Sequence, residues 1–524
     1  MKKVVALCVA ACLLFGGCSI SAAPENQGTN LPYIQTNPVT AEVSDDVVRI
    51  QLSDEGVTVN GEAVSTDPAA AVYTARDVVF YLEGQGFTYG EGTEGDAHAQ
   101  EEADAHSVVH ITKPGQYILS GSLSAGQIAV DLGEDAEDDP NGVVTLVLDN
   151  VNVTCTVAPA VIFYNVYECG IADEDSATMD VDTSRAGANV IIADGSENNI
   201  HGSYVARIYK SVELNEDGTK VVDSKKLHKY DAAFYSKMSM NIYGEENSTG
   251  KLNIYAENEG LDSELHLTLY SGNIHIESGN DGINTNEDNV SVTRIAGGTL
   301  DVVVNGVTGE GDGIDSNGWL VIDGGVVTAS ACGFSGDAGI DADKGVYLRG
   351  GTVVASGNML DRVQGEQTHA VFTFGQKQTG GKEYTLKTEA GTTVLTCTPA
   401  NDFQYLIVSS GALTAGNYTF WQGDKQLSAG QGGGMGGIRP EGGLLQKPEG
   451  ERPSMPAGEV PTFPEGQAPG FPQGQPPEKP EGERPDGQPG QMPGGVGGAP
   501  GQGTAGQATQ ILKIVAGVNY FQIF

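Results

Sequence analysis

Basic residues are scarce in this sequence. There are 28 Lys and Arg against 69 Asp and Glu, which leaves a formal net charge of −41. That balance excludes a nucleic-acid partner, because phosphate backbones are held by clustered Lys and Arg. It suits a chain that collects cations, or one kept soluble by its charge. Aromatic residues make up only 7%. No amphipathic helical pattern of useful length interrupts the chain, so a helical architecture is not expected. No C-x-x-C spacing occurs, which argues against a zinc site. Of the seven cysteines, Cys8, Cys12 and Cys18 lie near the N-terminus. Cys155 and Cys169 are close enough in sequence for a disulfide in an oxidising compartment, while Cys332 and Cys397 stand apart.

Glycine is abundant, at 74 of 524 residues. A length of 524 would ordinarily suggest two to four domains, but elongated all-β folds escape that rule. The chain opens with Met1-Lys2-Lys3, an apolar stretch over 4–15, and Phe15-Gly16-Gly17-Cys18. This is the layout of a secretory signal. Small residues ending in cysteine also match a bacterial lipobox, with Cys18 as the lipidated first residue of the mature protein and Phe15 where Leu is usual. Ordinary cleavage near Ala22-Ala23 is the other reading. Residues 19–45, with Pro24, Pro32 and Pro38, read as a polar tether. From 46 to 430 the chain is a succession of short β-type runs broken by Gly, Asn and Asp. Two acidic inserts, 91–104 and 131–139, read as loops. Residues 431–510 are rich in Gly, Pro, Gln and Glu, repeat KPEGERP, and are expected to be a disordered spacer. The last residues, ILKIVAGVNYFQIF at 511–524, are too short for a membrane span. They read either as a strand added to a sheet edge or as an apolar end of no defined role.

The stretch GEGDGIDSNGWLVIDGG, at 309–325, contains a pattern that recurs. Glu259-Gly260-Leu261-Asp262, Asp281-Gly282-Ile283-Asn284, Asp312-Gly313-Ile314-Asp315 and Ala338-Gly339-Ile340-Asp341 share it. Short β runs follow, with Gly-Gly corners at Gly297-Gly298, Gly324-Gly325 and Gly350-Gly351. A unit of three short strands at this spacing is the signature of a solenoid, whose rungs must stack to bury an inner face. The expected fold class is therefore all-β: a parallel β-helix with three-stranded rungs and a small β cap. Corner glycines would supply backbone angles that other residues avoid. A β-sandwich would need longer strands and fixed short hairpins.

Stacking places the acids in columns. With Leu261, Ile283, Ile314 and Ile340 pointing inward, Asp262, Asn284, Asp315 and Asp341 are expected to point outward in register. Like charges directly opposite one another in a sheet destabilise it. A divalent cation between rungs would relieve that repulsion, and calcium takes carboxylate and carbonyl oxygens with flexible geometry. The candidate ligands are Asp262, Asp281, Asn284, Asp312, Asp315, Asp341 and Asp343. The other reading is that these residues bond only their own turns.

Further features complete a recognisable order. They are Gly115-Gln116-Tyr117-Ile118-Leu119-Ser120-Gly121, Val144-Thr145-Leu146-Val147-Leu148-Asp149, the Asp-Gly-Ile-Asp rungs, and then Tyr405-Leu406-Ile407-Val408-Ser409-Ser410 through Gly416-Asn417-Tyr418-Thr419-Phe420. This order resembles the bacterial carbohydrate-binding domain-containing lipoprotein family, formerly a domain of unknown function, over roughly 105–425. The resemblance implies a right-handed parallel β-helix similar to the pectate lyase fold. It also implies bound calcium and affinity for plant-type or acidic polysaccharide, but no residue-level motif transfers position by position.

Three functions follow as expectations. The first is a calcium-dependent polysaccharide-binding protein at the cell surface, monomeric, lipid-anchored or secreted, taking plant-type or uronate-containing glycans or cellulose, with Trp319 and Tyr347 available to stack on sugar rings. The second is a polysaccharide lyase, in which calcium neutralises a uronate and an Arg or Lys removes the C5 proton. Lys344, Arg349 and Arg294 are its candidate bases. The third is an adhesin or structural protein whose ligand is another protein.

Overall fold

The computed structural model describes residues 47–170, 173–431 and 509–524. The expected secretory segment with Cys18, the expected 19–45 tether and nearly all of the 431–510 stretch lie outside the described residues. Within them almost every element is a strand, and the one α-helix is Gln100–Ala105. That short helix falls in the first acidic insert, where a loop is expected. Its acids Glu101 and Glu102 sit in the first turn, where the helix dipole favours negative charge.

Three parallel ladders organise the centre of the chain. The first runs through Val161–Phe163, Ala232–Ser236, Glu259–Ser263 and Ile283–Thr285. Isolated bridges Ile283↔Ile314 and Ile314↔Ile340 carry it two rungs further. The second runs through Ala188–Ile192, Met240–Gly244, His266–Leu269, Val292–Ile295, Trp319–Ile322 and Gly345–Leu348. The third runs through Glu197–Gly202, Lys251–Ala256, Asn273–Ser278, Thr299–Val304, Val326–Ser330 and Thr352–Gly357. Each pass of the chain contributes once to each ladder before moving to the next rung.

Register stacks like on like. Phe234, Leu261, Ile283, Ile314 and Ile340 form one column, and every one of them is fully buried. Ile254, Ile276, Val302, Ala329 and Ala355 form another on the third ladder. Burial of such side chains stabilises by about 1.5–3 kcal/mol each. A single rung has no second layer against which to bury them, so the stack is cooperative between neighbours.

The glycines divide into two kinds. At the Gly-Gly corners the second residue takes a positive φ, as expected: +81° at Gly298, +80° at Gly325 and +77° at Gly351. The motif glycines do not. A Cβ on Gly313 would lie 2.4 Å from the Gly339 carbonyl oxygen, and one on Gly282 would lie 2.6 Å from that of Gly313. These positions need glycine because the next rung's backbone comes so close, not because of an unusual dihedral angle.

Two features depart from the regular stack. Val205–Leu214 and Val221–Tyr230 pair antiparallel as a hairpin inserted between rungs. At the C-terminal side, Phe403–Ser410 pairs antiparallel with both Thr352–Gly357 and His369–Gln378, which closes the third ladder. A separate antiparallel sheet joins Thr393–Cys397, Tyr384–Thr388, Gly416–Gln422 and Lys425–Gln426. The apolar terminus completes both sheets. Leu512–Ile514 pairs with Gly416–Gln422, and Val518–Ile523 lies parallel to His369–Gln378. Of the two readings of 511–524, strand addition is the one observed. Cys155 and Cys169 are both free thiols, so the disulfide permitted by their spacing is not formed.

Candidate functional site

The acids of the repeat lie on the first ladder, in two columns. Glu259, Asp281 and Asp312 stand two residues before the buried Leu and Ile positions, and Asp262, Asn284, Asp315 and Asp341 stand one after them. The expectation that the second column faces solvent is corrected by the structure. Asp262 is fully buried, and Asn284 and Asp341 are 7% and 3% exposed. The cause is a further layer of polar side chains over the column. Asn286 donates from Nδ2 to both oxygens of Asp262, at 2.8 and 2.9 Å. Asn317 donates in turn to the Asn286 carbonyl at 2.8 Å.

Asp312, Asp315 and Asp341 converge. Each offers one carboxylate oxygen, and the three oxygens lie within 4.8 Å of one another. Backbone N–H groups hold the carboxylates of Asp312 and Asp315, and of the neighbouring Asp281, in place. Ala338 N–H donates to Asp312 Oδ1 at 2.5 Å, Ser316 N–H to Asp315 Oδ1 at 2.7 Å, and Asp312 N–H to Asp281 Oδ1 at 2.7 Å. Burial, followed by the charges of Asp281, Asp315, Asp341 and Asp337, pushes the Asp312 carboxyl well above the usual carboxylate range. Asp262 is pushed the same way by burial and by Glu259, Glu264 and Asp231, against the opposing bonds from Asn286. Like charges at this separation in a buried site repel strongly.

A hard divalent cation fits this donor set. The ligands are all oxygens, without imidazole or thiolate, which suits calcium rather than zinc or copper. A second observation points the same way. Asn284 donates from Nδ2 to Asn286 Oδ1 at 2.9 Å, yet its own Oδ1 is buried without a hydrogen-bond partner. It stands in register between Asp262 and Asp315. A buried carbonyl oxygen left unpaired is costly, and a bound cation would satisfy it.

Carbohydrate-binding domain-containing protein is the description of the family that matches residues 105–415, more than half of the chain. The chain belongs to this carbohydrate-binding family. A curated relative of the same description, from Acetivibrio thermocellus, is 28% identical over 170 residues. That match takes in 32% of this chain and 45% of the relative, so the chain spans less than half of that protein. Among solved structures, the polysaccharide lyase-like protein from C. thermocellum, as its gadolinium derivative, is similar at 21% identity with a TM-score of 0.31. The likeness covers 58% of this chain and 83% of that one, and at such a score it carries no argument.

In this family member the remaining candidate residues are spread around the acids. Trp319 and Tyr347 are both half-buried on the second ladder. Their register partners are Gly345 and Val321, so they are diagonal neighbours on adjacent rungs rather than a stacked pair. Arg294 pairs with Asp323 at 2.5 Å and donates to the Met179 carbonyl at 2.8 Å. Arg349 reaches Asp180 at 3.3 Å and Asp323 at 3.8 Å. Both guanidinium groups are thus bound by carboxylates of the second ladder and of the 173–187 segment, not by the acids of the first ladder. Lys344 and Asp343 are exposed on the turn that leaves the first ladder.

Two acids beside the cluster were not legible as site residues. Asp337 accepts from Gly311 N–H at 2.7 Å and adds to the field at Asp312. Asp361 accepts from Ala342 N–H at 3.2 Å, which brings the following rung to the column. Asp337 sits one residue ahead of the recurring motif, and Asp361 lies in MLDRV, which lacks the Gly-Ile pair. Neither position carries a repeat signal.

Proposed function

We propose that this protein binds polysaccharide through calcium held by the first ladder, on the outer side of the cell membrane, anchored through Cys18. The three ladders are read as the faces of a right-handed parallel β-helix with three-stranded rungs. The observation that carries the proposal is the convergence of Asp312, Asp315 and Asp341 within 4.8 Å, in a chain of a carbohydrate-binding family. Calcium would be held by these three, with Asn284 Oδ1 beside them, and would supply positive charge to a surface that otherwise repels anions. Glycans that carry carboxylates are therefore the favoured ligands, because one cation can join the acids of the protein to those of the sugar. A site of this type can be weak and still be filled outside the cell, where dissociation constants of about 10⁻⁴–10⁻³ M suffice.

Affinity electrophoresis of the full chain in gels of polygalacturonate, xylan or a cellulose derivative tests this, each gel run with calcium or with chelator. The expected result is retardation by polygalacturonate that chelator removes and that Asp315→Asn and Asp341→Asn weaken. Absence of retardation in every gel would sink the reading.

A further inference from the structure

The turns that lead from the third ladder into the acids carry two large apolar side chains in the open. Val307 is 69% exposed and Phe334 is 66% exposed. Single exposed apolar residues are ordinary on a protein surface. These two are not scattered: they occupy the same turn on consecutive rungs. Each packs down onto a glycine of the rung before. A Cβ on Gly279 would lie 2.9 Å from Val307 Cγ2, and a Cβ on Gly306 would lie 3.0 Å from Phe334 Cζ. Gly306 also has a φ of +69°, so the position is closed to other residues twice over. The ring of Phe334 is therefore supported from beneath while most of its surface faces water.

The same turns connect directly to the cation-binding acids. Cys332 N–H donates to the Gly311 carbonyl at 2.9 Å, Gly311 N–H donates to Asp337, and Ser335 donates to Asp337 as well. Asp312 follows Gly311, and its carboxylate accepts from Ala338 N–H. Next to them the Asn280 Oδ1 atom is buried with no hydrogen-bond partner, and the Asn280 backbone lies 2.6 Å from where a Gly311 Cβ would stand. An apolar ledge, a set of carboxylates and an unpaired acceptor thus adjoin on one turn. Sugar rings match that combination, because one face presents aliphatic C–H and the edge presents hydroxyls and carboxylate.

We propose that Phe334, with Val307 beside it, is the platform on which one sugar ring of an acidic polysaccharide stacks while its carboxylate reaches the cation at Asp312, Asp315 and Asp341. This rests on the calcium-dependent reading above and deepens it, moving the stacking role from the half-buried Trp319 and Tyr347 of the second ladder to an exposed ring on the turn between the third and first ladders. Truncating an aromatic anchor in a binding surface lowers affinity by about tenfold or more.

The test compares the full chain with Phe334→Ala and Phe334→Trp in polygalacturonate gels with calcium, alongside calcium titration by calorimetry and thermal unfolding. Phe334→Ala should lose about tenfold in glycan affinity while calcium binding and melting temperature stay unchanged, and Phe334→Trp should restore glycan binding. If the parent chain is retarded and Phe334→Ala is retarded equally, the platform is overturned and the calcium reading stands. If the parent chain is not retarded at all, both fall together. A Phe334→Ala protein that also loses calcium binding would assign the ring a structural role and overturn the platform.

Discussion

The stacked rungs and the C-terminal cap solve the problem of a β core in opposite ways. The rungs use aliphatic columns, Leu261, Ile283, Ile314 and Ile340, and place polar groups one residue away from them: the buried Asp262, Asn284 and Asp341 and the half-buried Asp315. The cap is aromatic and its buried centre is apolar. Phe372 stacks on Phe420 at 4.0 Å, and Phe374, Tyr384 and Phe403 meet edge to face. The rungs are parallel and joined to near neighbours in sequence, whereas the cap is largely antiparallel and borrows its last strands from 509–524. The difference separates two tasks. Repetition presents the same polar groups at each rung, which is what a multi-carboxylate site requires. Termination requires the opposite, an edge that nothing further can join.

The comparison is broken most severely by removing residues 509–524. Leu512, Ile514, Phe521 and Ile523 are all at least 96% buried. At about 1.5–3 kcal/mol each, their loss removes on the order of 6–12 kcal/mol of burial, an upper bound because the unfolded chain is itself partly collapsed. The edge of His369–Gln378 would also be uncovered. The truncated protein should show protease cleavage confined to 365–431 and increased self-association. Calcium titration of the same sample should match the full chain. Equal protease resistance in the two proteins would show that the cap does not depend on its last strands.

Much of the stack was legible because its period is expressed in residue types. The Gly-Ile pairs at 282–283, 313–314 and 339–340 name the buried position and the close-packed one together. What could not be read was which side of the acids would be covered, since that depends on Asn286 and Asn317 folding over from the following turn. The hairpin Val205–Leu214 with Val221–Tyr230 was also missed, because its alternation looks like that of any rung. The terminal strands were ambiguous for a different reason. A short apolar segment does not reveal its partner when the partner is more than a hundred residues earlier, as Val371 is to Tyr520.

A smaller effect sharpens the electrostatic half of the comparison. Asp312 titrates well above the normal range in the fold, owing to burial and then its acidic neighbours. A carboxyl with a raised folded pKa contributes fully below its unfolded value, near pH 4, and that contribution is lost as pH rises through the folded value. In calcium-free buffer the melting temperature should therefore fall as pH rises from 4 toward neutrality. Asp312→Asn should flatten that slope and melt higher than the parent at neutral pH. With calcium present the order should reverse, since the cation offsets the repulsion only where the carboxylate remains. A parent chain with no slope in calcium-free buffer would contradict the buried-charge account.

The smallest effect lies on the third ladder, where a histidine stands between two carboxylates. His275 bonds Asp301 through Nδ1 at 2.9 Å and Glu277 through Nε2 at 3.3 Å. Those bonds, Asp301 first, raise the imidazole to about 9, and Glu277 is lowered in return. For a histidine the sign is again that of a raised folded pKa: its stabilisation is complete below the unfolded value near 6.5 and disappears as pH climbs through about 9. The group is partly open to solvent, so screening reduces the effect. Between pH 6.5 and 9 the parent chain should lose a little stability that His275→Gln never has, visible as converging melting temperatures. Because His275 lies on the third ladder and is bonded only to Asp301 and Glu277 there, the convergence should be the same with and without calcium, which separates it from the carboxylates of the first ladder. A calcium-dependent convergence would instead mean that the two ladders share one electrostatic site.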